Sequence, residues 1–112
     1  MQLTKTISIA VPLFLMLTAC GSKPALAPVT LTEQQNKLFQ QSCQTCHANA
    51  ASPAPQMGDI KAWEKRIEKG LPVLVQNAMQ GFNAMPAGGL CTTCTPDDFD
   101  AMIRFIATAP TT

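Results

Sequence analysis

Residues 43–47 read CQTCH, Cys43-Gln44-Thr45-Cys46-His47, two thiols and an imidazole within one helical turn's reach. Such a set suits a zinc ion, disulfide exchange or a haem, and each would need a different fold around it. A second CxxC pair follows at Cys91 and Cys94. Paired CxxC motifs of a zinc ribbon are typically ~15–20 residues apart; here residues 47–90 intervene, and zinc would leave His47 without a role. Thioredoxin-like exchange belongs beside a βαβ pattern, and the chain shows no strand pattern. The C-x-x-C-H spacing fits haem best: both sulfurs bond covalently to the porphyrin edge and the adjacent imidazole reaches the iron.

Helical patterns surround the motif. Thr30 and Glu33 read as a T-x-x-E capping box opening a helix through residues 31–42, which delivers the chain to Cys43. ANAASPAPQMG, from Ala48, breaks all periodicity and reads as a loop. Asp59 can cap a helix in which Ile60, Trp63 and Ile67 share a face before Gly70. Pro72 suits the first turn of the next helix, whose Leu74, Val75, Ala78 and Met79 point one way before Gly81. Thr95-Pro96-Asp97-Asp98 opens the last helix, with Phe99, Met102, Ile103 and Ile106 at i, i+3, i+4 and i+7. The expected fold is all-α, about four short helices around one cofactor.

The chain of 112 residues holds one domain at most, and its start reads differently. MQLTK carries Lys5, then ISIAVPLFLML runs apolar for about a dozen residues, a signal-peptide core rather than the ~20 of a spanning helix. LTAC, residues 17–20, resembles the lipobox of bacterial lipoproteins, in which the cysteine is lipidated and becomes the first mature residue. That implies a leader at 1–19, a Pro/Ala spacer at 20–29 anchored through Cys20, and a domain at 30–112. At ~3.1 Å per residue the spacer would hold the domain about 25 Å off a membrane. An ordinary signal peptide cut after Ala25-Leu26-Ala27 is the alternative, but Pro28 is a poor residue there and Cys20 would be left as an odd thiol. Gly21, where many inner-membrane lipoproteins have aspartate, favours outer-membrane sorting.

The whole chain has 8 basic and 7 acidic residues; without Lys5 the balance is 7 to 7, and nothing recruits nucleic acid. Trp63, Phe39, Phe82, Phe99 and Phe105 are the only aromatics after the leader, and there is no Tyr. That is thin for a core of this size, which commonly needs a disulfide, metal or cofactor. A haem would supply the missing apolar bulk.

A haem electron carrier needs a sixth ligand, and Met57, Met79, Met85 and Met102 are the candidates. Met79 and Met102 fall on apolar helix stripes and read as core filler. Met57 is only ten positions from His47 in the same loop. Met85 lies in NAMPAGG, where Pro86 forces it extended and the glycines let the loop approach a ring closely, so it is the expected ligand.

CQTCH after a helix, APQMGD, a helix with tryptophan, MPAGGLCTTC and a last amphipathic helix together resemble the class I c-type cytochromes, specifically the small bacterial cytochrome c-five subfamily, over residues 30–107. The resemblance implies haem thioethers at Cys43 and Cys46, iron ligation by His47 and Met85, and a disulfide between Cys91 and Cys94. It also implies a hydrogen bond from His47 to a proline carbonyl, with Pro55 the best match and Pro53 the alternative. Trp63 would lie against the haem edge and donate to a propionate, with a plain core tryptophan the competing reading. In the family the first and last helices cross with an aromatic at the contact, here Phe39. A glycine common four residues earlier is Gln35 in this chain, so the crossing is looser or its register shifted. Lys61, Lys65 and Lys69 form a stripe that reads as a solvated face.

The function expected is one-electron transfer by a membrane-tethered, periplasm-facing carrier in the bacterial envelope, holding one covalent haem c and catalysing nothing itself. Its partners would be a redox donor and acceptor, with the membrane reached through the anchor. The alternatives are a haem-based gas sensor, in which methionine leaves to admit a ligand, and a cytochrome subunit of a larger dehydrogenase or oxidase.

Overall fold

The computed structural model describes residues 21–110; the leader and Cys20, where lipidation is expected, lie outside the described residues. The described elements are α1 (Glu33–Gln41), α2 (Gln44–His47), α3 (Ile60–Ile67), α4 (Leu71–Gln80), a 3-10 turn (Ala87–Leu90) and α5 (Pro96–Thr108). Among the described residues there is no strand, only an isolated bridge between Phe82 and Met85. The fold is all-α as expected, with one more helix because the CQTCH stretch itself winds into the single turn α2.

The hub is α5, which touches α1, α3 and α4. Its stripe at Phe99, Met102, Ile103 and Ile106 is buried, extended by Ala107. Thr95 caps it as read from sequence: Asp98 N–H donates to Thr95 Oγ1 (3.2 Å) and Thr95 N–H to Asp98 Oδ2 (2.9 Å). Hydrogen bonds from the Thr95 backbone and side chain hold the Asp98 carboxyl below its ordinary range. The cap is therefore in force above the usual carboxylate pKa and is lost only as pH falls through that lowered value. Across α1 and α5, the Phe39 and Phe105 rings meet edge to face at 5.3 Å.

The α1 box lies two residues beyond the Thr30–Glu33 reading. Thr32 is the cap, accepting from Gln35 N–H, while Gln35 Oε1 accepts from Thr32 N–H, each at 3.1 Å. Both T-x-x-[EQ] frames exist in the sequence, and the second wins because its partner also reaches α5: Gln35 Nε2 donates to Asp98 Oδ1 (3.4 Å). Where the family often has glycine, this chain has a side chain that links the two helices.

Two further readings change. On α4 the buried face is Leu71, Leu74 and Ala78; Met79, one step round from Ala78, is 42% exposed rather than core. Met102 is 1% exposed. Met102→Ala should therefore cost ~2–5 kcal/mol in chemical denaturation and Met79→Ala only ~0.5 kcal/mol or less. On α3, Ile60 is 67% exposed while Trp63 is buried. Ile60 borders a shallow groove on α3 and α5 along which Lys23–Leu26 lie. Lys23 pairs with Glu64 (2.6 Å) and Leu26 packs against the core. The stretch expected to be an extended Pro/Ala spacer is thus partly docked on the domain.

Gly58 shows why the loop before α3 needs a glycine. Its φ is +72°, and a Cβ there would lie 2.8 Å from Ala109 O. Its N–H donates to Ile106 O (3.1 Å), fastening the loop to the end of α5.

Candidate functional site

The turn from α1 into α2 sets the two thiols. Ser42 is buried, with Oγ donating to Leu38 O (2.6 Å) and lying 3.6 Å from Cys43 Sγ. Sequence reading missed it, because a serine that ends a helix by bonding back four residues looks like any polar loop residue. Cys43 is buried and Cys46 half-buried, three apart at the start of α2, and both line a cavity of about 540 Å³. Burial pushes the Cys43 thiol above its ordinary range, and the neutral S–H donates to Met102 Sδ at 3.9 Å.

His47 closes α2 and lines the same cavity. Its Nδ1 lies 2.8 Å from the Pro55 carbonyl oxygen. A carbonyl can only accept, so Nδ1 carries the hydrogen and the Nε2 lone pair is left for a metal. Between the two proline alternatives, the structure places Pro55 at the imidazole. The loop also returns Met57 N–H to His47 O (2.8 Å).

Trp63 stands 6.0 Å from His47, centroid to centroid, and lines the cavity. Its indole N–H does not reach into that cavity as a propionate donor; it donates to Gln56 O (2.8 Å). The loop carbonyl, which no side-chain pattern announces, takes the hydrogen bond first. Gln56 itself was not singled out from sequence, yet its amide donates to Ala54 O (2.9 Å) and Cys46 O (3.0 Å).

Across the cavity wall, the chain turns back on itself after α4. Phe82 N–H donates to Met85 O (3.0 Å) and Met85 N–H to Phe82 O (2.9 Å), which pins the Met85 backbone. Met85 and Met102 line the cavity; Met57 and Met79 do not. Gly89, at φ +54°, lies against the Met85 methyl: a Cβ there would be 2.8 Å from Met85 Cε. Cys91 and Cys94 are joined in a disulfide directly after this turn and before the Thr95 cap.

The rest of the wall is mainly apolar, including Leu74, Ala78, Phe99, Ile103 and Ile106. Arg66 and Lys69 are its only formally charged lining residues, and neither pairs with a carboxylate among the described residues. Lys61, Lys65 and Lys69 are all exposed, as expected of a solvated face, and Lys69 also borders the cavity with its Nζ 5.8 Å from the Phe82 ring. No three His, Cys, Asp or Glu side chains converge to hold a metal ion among the described residues, and Cys91 and Cys94 are committed to each other. A flat, largely apolar group with two reactive edges, an axial coordination demand and anionic side chains fits these residues. Its size falls within the range of cavities that enclose cofactors.

A c-type cytochrome is what this fold and site define. The family model described as cytochrome c oxidase, cbb3-type, subunit III matches residues 30–106. Cytochrome c5 of Azotobacter vinelandii is 38% identical over 63 residues, covering 54% of this chain and 76% of its own length. Cytochrome c5 of Ectopseudomonas mendocina is 33% identical over 69 residues, covering 60% and 79%. A chain from the crystal structure of an electron transfer complex of nitrite reductase with cytochrome c superposes with a TM-score of 0.60 at 28% identity, over 70% of this chain and 95% of that one. The chain belongs to the cytochrome c family, as a small class I monohaem member with one covalent haem c and an electron-carrier function.

Proposed function

We propose that this cytochrome is a membrane-tethered, periplasm-facing carrier whose haem iron is held by His47 and Met85, with thioethers from Cys43 and Cys46. The observation that carries the reading is the gathering of those four side chains on one cavity, with His47 presenting Nε2 because its Nδ1–H donates to the Pro55 carbonyl. When bound, the haem supplies a one-electron ferric/ferrous couple. The chain's residues do the rest. The apolar wall keeps water from the ring, which favours the less charged state. Arg66 and Lys69, the charged residues on the cavity lining, would meet the acidic propionates, a task for which the Trp63 N–H is already occupied. With two axial residues assigned, the site has no place for substrate, and the protein acts as a carrier rather than an enzyme.

Absorption spectra of both redox states test the ligation: a ferric thioether-to-iron band in the near red and poor carbon monoxide binding by the reduced protein are expected. Ready carbon monoxide binding would favour a gas-binding module instead. Gly89→Ala probes the same ligand from its support. The added methyl both clashes with Met85 Cε and disfavours the positive φ, so the band should weaken or become temperature-dependent while the thioethers persist.

The tether rests on LTAC and Cys20. Wild-type protein should fractionate with membranes, the outer one in particular, and soluble material beginning at Pro28 would refute the anchor while leaving the cytochrome intact. The description of the matched family favours a second reading, a cytochrome subunit of an oxidase. Co-purification with oxidase activity in mild detergent would support it, whereas a lone small haem protein supports the carrier. The nitrite reductase in the related electron transfer complex indicates the kind of partner, a redox enzyme, with which transfer should first be assayed.

A further inference from the structure

The loop between α2 and α3 carries the Pro55 carbonyl on which the state of His47 depends, and a loop rich in Ala, Ser and Pro has little side-chain packing to hold it. Gln56 makes up the difference. Both hydrogens of its side-chain amide have acceptors, Ala54 O at 2.9 Å within the loop and Cys46 O at 3.0 Å on α2. Its backbone carbonyl accepts the Trp63 indole N–H at 2.8 Å, which ties the same residue to α3. Pro55 lies between Ala54 and Gln56, so its carbonyl, 2.8 Å from His47 Nδ1, cannot swing away unless bonds on both sides of it break. Met57 N–H, donating to His47 O at 2.8 Å, closes the ring from the other end.

We propose that Gln56 is the positioning residue for the axial imidazole, clamping the Pro55 carbonyl to His47 Nδ1 between α2 and the Trp63 indole. The inference rests on His47 being the iron ligand. A firm Nδ1–H···O bond makes Nε2 a stronger donor to a metal and so favours the ferric state. Loosening the clamp should weaken that donation and raise the midpoint potential, opposite in direction to losing methionine.

The test uses the haem-loaded full chain and its Gln56→Leu, Gln56→Glu and Trp63→Phe variants. Reduced wild type is examined first by NMR. Imidazole protons without the ring-current shifts of an axial ligand would overturn the ligation, and the proposal with it. With ligation in place, Gln56→Leu should speed deuterium exchange of the His47 ring N–H by roughly five- to tenfold, as for one lost hydrogen bond, and raise the potential. Gln56→Glu has the same shape but an ionised carboxylate cannot donate to the two carbonyls, so it should speed the exchange likewise, while its added negative charge favours ferric iron by itself and leaves the potential to be read on Gln56→Leu. Trp63→Phe removes only the indole donor and should give a smaller change of the same sign. Unchanged exchange in both Gln56 variants, or an unchanged potential in Gln56→Leu, would overturn the proposal. So would a loss shared equally by amides far from the loop, such as that of Asp98, since that marks a general loss of stability. If the Gln56 variants fail to mature, wild type decides: His47 ring N–H and Met57 N–H should exchange together as one opening unit, and widely different opening free energies would overturn the clamp.

Discussion

Haem should no longer resist acid-acetone extraction when Cys43 and Cys46 are both replaced by serine, and the chain should then fail to hold its fold. Each sulfur can make one thioether, so the double substitution removes every covalent link that the site offers. The consequence for folding follows from size. The cavity of about 540 Å³ is walled by the same Leu74, Phe99, Met102 and Ile103 that form the core. At ~24 cal/mol per Å³, leaving such a space unfilled would cost at most about 13 kcal/mol, which matches the whole stability of a small domain. Water entry and collapse reduce that figure, but either response dismantles the packing of α4 on α5. Circular dichroism of the haem-free double variant should show lost helix and no cooperative thermal transition. Haem still covalently bound would defeat the thioether assignment, and a cooperative haem-free fold would show that the helices need no filler.

The second large effect belongs to Met85. Met85→Ala should abolish the near-red ferric band and lower the midpoint potential on the order of 0.1 V, within the ~0.8 V that axial ligands span. The direction is set by the thioether's preference for ferrous iron, which water or a harder ligand does not share. The backbone should be little disturbed, because the paired hydrogen bonds between Phe82 and Met85 involve main-chain atoms only. Survival of the band would turn attention to Met102, the other methionine on the cavity wall. Met102 is 1% exposed in the core on α5, where its loss should lower stability before it alters the spectrum.

What was legible in the sequence, and what was not, divides along physical lines. The α5 stripe and its Thr95 cap could be read because helical spacing and a capping box are local and redundant. CQTCH could be read because its chemistry resides in adjacent residues. The α1 cap was displaced by two residues because two frames satisfied the same local rule, and the deciding contact, Gln35 to Asp98, joins opposite parts of the chain. Met79 looked like core because the stripe edge of a helix cannot be placed to within one residue from periodicity alone. Gln56 and the Trp63 bond were invisible for a different reason: their partners are backbone carbonyls of an irregular loop, and every residue has one.

The docked N-terminal stretch alters what an anchor would do. With Leu26 packed on the domain, a lipid at Cys20 would hang it on a leash of six residues, about 20 Å at full extension, and with Lys23 held by Glu64 on barely half of that. So short a leash would keep the α3 side turned toward the bilayer. The cytochrome would then sweep a shallow cap of space rather than tumble freely, and a partner would be met by bearing as well as by distance.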